Sequence, residues 1–508
     1  MRKAVLGGVA ITVTTVLLSP VQASAIDPVS SAKLREAVTV NGILQHERAL
    51  QKIATANGGT RTSGTPGFLA SAKYVKKKLR EAGYKPKVQT FVFPFFKELA
   101  PATLTDLGPA TPRDIETATF DYSGTGDVTG LLVPTKDVVI PPAAEPSSTS
   151  GCEAADFSAA PTPTAIALVQ RGTCTFEDKA NNAQAAGYAA VVIFNEGQPG
   201  RQELLTGTLG AIETIPVVGI TFAEGESLYS ATKARPVILH VTTSTENDPK
   251  RTTKNIIADT PKGKKKGETV VVGAHLDSVP AGPGINDNGS GTATVLEIAE
   301  QMAKLKINNK LQRQIRFAFW GAEENGLLGS THYVSGLSPA QTRDIYANLN
   351  FDMLGSPNYV RFVYDGDGSD TGTAGPAGSG AIESIFTDYF DAQKLASAPT
   401  EFDGRSDYGP FIDAGIPAGG LFSGAEGKKT SEEAAIYGGT AGAAYDSCYH
   451  QACDTTTNLN ERALVELGDA AAHAVYVLAR SKSGLYLDGS SVGHRRQNSA
   501  ERQPAHAR

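Results

Sequence analysis

The chain has 508 residues, 40% of them hydrophobic and 20% charged, with 53 glycines and 28 prolines. This is ordinary globular usage; it excludes wholesale disorder and a mini-protein held by disulfides alone, and the length suggests about three domains. A net charge of −6 gives no electrostatic reason to bind nucleic acid or an anionic membrane.

The first 25 residues read as a secretory signal. Arg2 and Lys3 precede an uncharged apolar stretch over residues 4–18, and Ala23-Ser24-Ala25 is a small-residue cleavage site. The stretch is short for a membrane span, so a secreted, extracellular product free of the membrane is expected; a retained anchor is the alternative. Export makes disulfides available. Four cysteines allow three pairings, of which Cys152–Cys174 and Cys448–Cys453 are the simplest because each closes a short loop.

Residues 26–96 read as helical, then extended. Leu69, Ala72, Val75 and Leu79 recur at helical spacing, predicting a helix over 69–82 that Gly83 closes, with Lys76, Lys77 and Lys78 on a solvated face. Between residues 97 and about 250 glycine, proline and threonine are frequent. Short apolar strands are expected at 131–133, 165–169, 189–194 and 217–220, with one helix at 176–186. From residue 253 strands (270–274, 315–320, 347–352, 360–364, 416–422) alternate with helices whose apolar face runs Val295, Ile298, Ala299, Met302, ending in a helix over 464–478. The expected fold is α/β: a three-layer sandwich around a mixed, mostly parallel sheet over residues 26–117 and 246–483. A β-rich insert occupies 118–245, and a polar, basic tail over 484–508 is disordered or trimmed.

In such sheets the chemistry gathers at the carboxyl ends of the strands. There the sequence places His275 and Asp277, then Asp287 in a Gly- and Asn-rich segment, then Glu323 and Glu324, then Asp352; His450 lies near the last helix. Histidines and carboxylates without thiolates suit zinc. One tetrahedral zinc with an open position needs three of the five donors His275, Asp287, Glu324, Asp352 and His450; two zincs sharing a bridging carboxylate need all five. Glu323 is then left over. If the pair lies on an extended segment, it points away from Glu324 and faces the metal-bound water as general base. Competing patterns fail. His46-Glu47 opens a zincin motif, but position 50 is Leu; a nucleophile-elbow string at 489–493 lies in the polar tail; the sequon at Asn288 sits in the proposed metal loop.

Five segments, His275-Leu276-Asp277-Ser278, Gly284 to Gly291, Trp320-Gly321-Ala322-Glu323-Glu324, Asn350-Phe351-Asp352-Met353 and Cys448-Tyr449-His450, closely resemble those of secreted bacterial two-zinc aminopeptidases of the leucyl aminopeptidase type. These are zinc-dependent exopeptidases, and the resemblance spans roughly residues 35–95 and 253–480. Residues 118–245, with Gly172-Thr173-Cys174-Thr175-Phe176, resemble a protease-associated (PA) domain. The resemblance implies that His275 and Asp352 bind one zinc, Glu324 and His450 the other, and that Asp287 bridges them. It implies Asp277 as the carboxylate behind His275, Glu323 as general base toward a bridging hydroxide, and Tyr449 as hydrogen-bond donor to the oxyanion. It further implies Arg405 as a substrate-positioning residue and Phe422 as a wall of the side-chain pocket. A surface ion pair of Arg405 with Asp403 or Asp407, and core packing of Phe422, are the plainer readings. Some relatives carry an acidic calcium site; here Val465 replaces one aspartate while Asp469 remains, which argues against calcium.

The expected activity is removal of amino-terminal, leucine-like residues from peptides by a monomer, with the insert covering one rim of the cleft. A metallo-carboxypeptidase, for which Arg405 is the one cationic receptor in view, and a non-catalytic PA-domain binding protein are the alternatives.

Overall fold

A computed structural model describes residues 29–108 and 111–485; the expected signal segment and the tail beyond Leu485 lie outside them. Leu485 itself is buried, and its N–H donates to the Tyr346 hydroxyl at 2.5 Å. No helix among the described residues is long and apolar enough to cross a membrane.

Three helices open the chain: α1 (Ala32–Arg35), α2 (Val40–Ala56) and α3 (Pro66–Glu81). Thr39 and Thr65 cap α2 and α3, their side chains accepting from Gly42 N and Phe68 N. The helix expected at 69–82 is α3; Pro66 starts it earlier, and Gly83 leaves it at φ 90°. Lys77 in the lysine run is exposed, whereas Lys78 reaches Glu300 at 3.1 Å.

β1 (Lys87–Asp106) leads into the insert: β2 (Arg113–Ile115), β3 (Ala118–Thr119), β4 (Gly126–Pro134), β5 (Ile166–Gln170), α4 (Phe176–Ala185), β6 (Ala190–Phe194), β7 (Val217–Ile220) and α5 (Phe222–Ala234). β8 (Ile238–Asp259) then returns antiparallel along the whole of β1. β4 to β7 lie side by side and parallel. Alternate side chains pack on opposite faces: Ile166, Leu168, Val192 and Phe194 with Leu228 of α5, and Ala167, Val169, Val191 and Ile193 with Ala180 and Ala183 of α4. Helix α5 was not expected from the sequence. One strand serves both domains, since the first part of β8 pairs with β4 and its last part with β10 (Gln314–Trp320).

The remaining elements are β9 (Thr269–His275), α6 (Gly291–Lys304), β10, α7 (Leu328–Ser335), α8 (Pro339–Asp344), β11 (Ile345–Phe351), β12 (Phe362–Tyr364), α9 (Ser379–Ala392), β13 (Ala398–Thr400), α10 (Gly409–Asp413), β14 (Ala418–Phe422), α11 (Ser431–Tyr437) and α12 (Glu461–Arg480). The sheet order is β13-β12-β14-β11-β9-β10-β8, with β14, β11, β9 and β10 parallel, β12 antiparallel to β14 but parallel to β13, and β8 antiparallel to β10. Val270 and Val272 face the large core built with α2, α3, α6, α9 and α12, while Val271 faces Tyr333 of α7 and Phe411 of α10. That alternation makes three layers. Both disulfides, Cys152–Cys174 and Cys448–Cys453, are formed, and no cysteine among the described residues is free.

Candidate metal centre

The parallel strands end together, with Trp320 of β10 opposite His275 of β9. His275 is the last residue of β9, and Thr292 of α6 donates to its carbonyl at 2.6 Å. Asp352 follows β11. Asp287 lies in an irregular helical turn, Ile285–Ser290, that enters α6. Asn288 binds this turn to β11: its Nδ2 donates to Phe351 O at 2.9 Å, and its Oδ1 accepts from Met353 N at 3.2 Å and Gly291 N at 2.9 Å. A Cβ on Gly291 would stand 2.1 Å from the Phe351 carbonyl oxygen, so only glycine permits this approach. The sequon asparagine is therefore buried and engaged. His46, the start of the failed zincin pattern, sits on α2 with Nδ1 2.8 Å from the Tyr74 hydroxyl and Nε2 3.4 Å from Glu297, a different set of partners from the donors below.

Glu323 and Glu324 do not lie on an extended segment pointing opposite ways, as expected. Ala322 has a left-handed φ of 55°, and the chain turns there, aiming both carboxylates into the site. His450 likewise has a left-handed φ of 57° inside the ring closed by Cys448 and Cys453.

His275 Nε2 stands 3.2 Å from Asp287 Oδ1 and 3.3 Å from Asp352 Oδ1; His450 Nε2 stands 3.1 Å from Asp287 Oδ2 and 3.1 Å from Glu324 Oε2. Two three-donor groups thus share Asp287, one oxygen turned to each. Ligands about 2.0–2.1 Å from a tetrahedral zinc lie about 3.3 Å from one another, so the donor spacing fits a cation at the centre of each group. Asp352 Oδ1, the oxygen that faces the first group, is buried with no hydrogen-bond partner, as a donor reserved for a cation would be. Glu323 Oε2 is 3.7 Å from His275 Nε2, beside the first group.

The electrostatics agree. Burial raises Glu324 to about 7, reinforced by the charge of Asp287. Burial pushes Glu323 well above the usual range; Asp352 and Glu324 add to this and His275 opposes it. Burial would favour a neutral His450, yet its bonds to Asp287 and Glu324 lift it to about 10. So many carboxylates gathered in one cleft call for added positive charge, of the kind a divalent cation would supply.

Asp277 is buried behind His275, with its Oδ1 3.7 Å from Nδ1 and accepting the Glu323 N–H at 3.3 Å. The Tyr449 ring stacks on His450 at 3.8 Å, and its hydroxyl accepts from Arg405 Nη2 at 3.2 Å. Burial, with the charges of Asp287 and Glu324, raises the Tyr449 hydroxyl and keeps it protonated. Arg405 does pair on the surface, but with Glu426 at 2.8 Å; Asp403 takes its backbone N–H instead, and Asp407 is buried. Phe422, half-buried at the end of β14, stacks on Phe362 at 6.0 Å beside Tyr364, Phe402 and Tyr408. Asp469, the remaining calcium-type carboxylate, lies 3.7 Å from Arg35.

Sequence reasoning missed four residues that shape the site. Ser406 donates to Asp352 Oδ2 at 2.5 Å and accepts from Asn350 at 2.8 Å. Fully buried Arg61 donates to the carbonyls of Leu276, Pro283 and Gly284, stapling the loop between His275 and Asp287. Asp446 and Asp454 bind the Asp287 turn from the far side. Only Asp454, directly after Cys453, had a signal in its position.

The family model described as peptidase family M28 matches residues 255–475, and that of the PA domain matches 128–228. An aminopeptidase of Pseudomonas aeruginosa is 45% identical over 471 residues, covering 92% of this chain and 85% of the relative. Leucine aminopeptidase 2 of Trichophyton equinum is 38% identical over 90% and 88%. The solved structure of a zinc aminopeptidase from Bacillus subtilis aligns with a TM-score of 0.62 at 27% identity, over 90% of this chain and 97% of the other.

Proposed function

We propose an activity on one settled premise: the chain belongs to peptidase family M28 and carries an inserted PA domain. It is a zinc-dependent aminopeptidase, and it uses two zinc ions to release large apolar, leucine-like residues from the amino termini of peptides. The reading rests on one arrangement, the two donor groups that share Asp287 with edges of 3.1–3.3 Å. His275 and Asp352 would hold one ion, His450 and Glu324 the other, with Asp287 between them. Zinc bound there lowers the pKa of a water toward about 7 and polarises a carbonyl.

The chain's own residues do the rest. Glu323 takes the proton of the attacking water and returns it to the departing amine. The protonated Tyr449 hydroxyl, oriented by Arg405, donates to the oxygen on which charge develops. Asp277 favours one orientation of the His275 ring. Glu323 and Asp352 attract the free ammonium of a substrate. The aromatic wall of Phe422, Phe362, Phe402 and Tyr364 offers apolar cover to its first side chain. Export agrees with the cysteines, all four paired. The carboxypeptidase alternative is weakened, because Arg405 already neutralises Glu426.

The test compares Leu-p-nitroanilide with a peptide blocked at its amino terminus and ending in a free Leu. Cleavage of the first alone is expected. Cleavage of the blocked peptide alone would overturn the assignment.

A further inference from the structure

His450 differs from the other donors in one respect. His275 and Asp352 adjoin core strands, and Glu324 follows β10 by four residues. His450 sits in a six-residue ring that pairs with no strand of the sheet. The disulfide shapes that ring but attaches it to nothing else.

Two buried aspartates flanking the ring make the attachment. After it, Asp454 accepts from Asn286 N at 2.8 Å through Oδ1 and from Asp287 N at 3.0 Å through Oδ2, while its carbonyl accepts from Ile285 N at 3.2 Å. Its own N–H donates to Gln451 O, inside the ring, at 3.1 Å. Before the ring, Asp446 accepts from Cys448 N at 2.8 Å and from Asn286 Nδ2 at 2.7 Å. Asn458 Nδ2 donates to both, at 2.9 and 3.1 Å to Asp446 and 3.3 Å to Asp454. Both aspartates are 1% exposed. Gly282 lets the neighbouring loop close on the ring, since a Cβ there would stand 2.2 Å from Gln451 O. The chain thus joins two donors 163 positions apart through one clasp.

We infer that Asp454, backed by Asp446, is a positioning residue that sets His450 against Asp287 and so tunes the affinity of the second cation, the one held by His450 and Glu324. The inference rests on the two-zinc reading. Asp454→Asn keeps one acceptor and turns an amide toward a backbone N–H, so one of the two bonds to the turn is lost. Residues that orient metal ligands typically carry 10–100-fold in affinity.

The experiment titrates zinc into the metal-free full-length chain against a competing chelator, for wild type, Asp454→Asn, His450→Ala and the double variant, with circular dichroism confirming the fold of each. Wild type should bind two equivalents. Asp454→Asn should weaken one equivalent 10–100-fold, the same one that His450→Ala removes, and leave the other within about threefold. In the His450→Ala background, which retains one zinc, adding Asp454→Asn should change affinity less than about threefold; a merely structural role would weaken that zinc too. One equivalent in wild type would refute the two-zinc reading itself. Two equivalents in wild type and two of unchanged affinity in Asp454→Asn, or an equal loss at both, would overturn the clasp alone. Should Asp454→Asn not fold, Asp446→Asn takes its place with the same expectations.

Discussion

Replacing Arg61 should cost the peptidase domain most of its stability. Its guanidinium is fully buried and donates to three carbonyls, and its backbone N–H donates to Ser278 Oγ at 3.0 Å. Hydrogen bonds to a charged group contribute about 1.5–3 kcal/mol each, so Arg61→Met removes about 5–9 kcal/mol, set against a total of about 5–15 kcal/mol for a domain. Part of this has a second origin. Glu47 on α2 is also fully buried, neither of its oxygens has a hydrogen-bond partner, and burial raises its pKa well above the usual range while Arg61 opposes the rise. Arg61 acts on Glu47 as a nearby charge rather than as a partner in contact with it, so its loss removes the one influence that opposes the effect of burial on that carboxyl. Glu47→Gln should therefore cost Arg61→Met less than it costs wild type, a non-additivity expected of groups in one network. Arg61→Lys, a point charge without the planar fork, should fall between. The chain has one tryptophan, Trp320, buried at the end of β10, so urea unfolding followed by its fluorescence reports the peptidase domain alone. Arg61→Met within about 1 kcal/mol of wild type, or equal effects of Glu47→Gln in both backgrounds, would refute the reasoning.

Glu323→Gln should fold, keep its zinc and lose about 10²–10⁴-fold in kcat, the usual contribution of a general base; full turnover in the zinc-loaded variant would remove Glu323 from the mechanism. His473 lies 2.9 Å from Ser31 Oγ and stacks on Tyr389 at 4.7 Å, and burial together with Arg35 lowers its pKa to about 4. Between about pH 6.5 and 4 the unfolded chain binds a proton that the folded ring refuses, so this contribution to stability is lost as pH falls through that window. His473→Gln should flatten the fall in Tm relative to wild type; an identical pH slope in the two proteins would contradict it. Leu107 N already donates to Ile238 O at 2.9 Å, so an Asn-Gly turn can replace everything between them. If the insert shields the cleft, this truncated enzyme should cleave long peptides several-fold faster relative to short ones; an unchanged length preference would dismiss that role.

The legible parts of the sequence were those with a period or a fixed neighbour. Val270 to Ala274 announced a buried strand, and its end placed His275. The first half of β1 was legible as an extended segment up to residue 96, where Phe91, Phe93 and Phe95 alternate inward; the rest of β1 and its partner β8 went unread, because their threonine-rich, half-exposed positions carry no apolar run. Helix α9 hides behind a Gly- and Ser-rich approach with no capping side chain. In the site, the donors could be named by residue type, but the turn at Ala322 depends on a backbone conformation that alanine does not advertise. Arg61 was invisible for another reason. In a Gly-Thr segment an arginine suggests surface, and only the carbonyls of a loop more than 200 residues away explain its burial.

The most direct measurement is anomalous diffraction at the zinc edge from crystals of the purified chain. Two peaks about 3.5–4 Å apart should lie on either side of the Asp287 carboxylate, one beside His275 and one beside His450. A single peak, or two that do not share Asp287, would contradict the account.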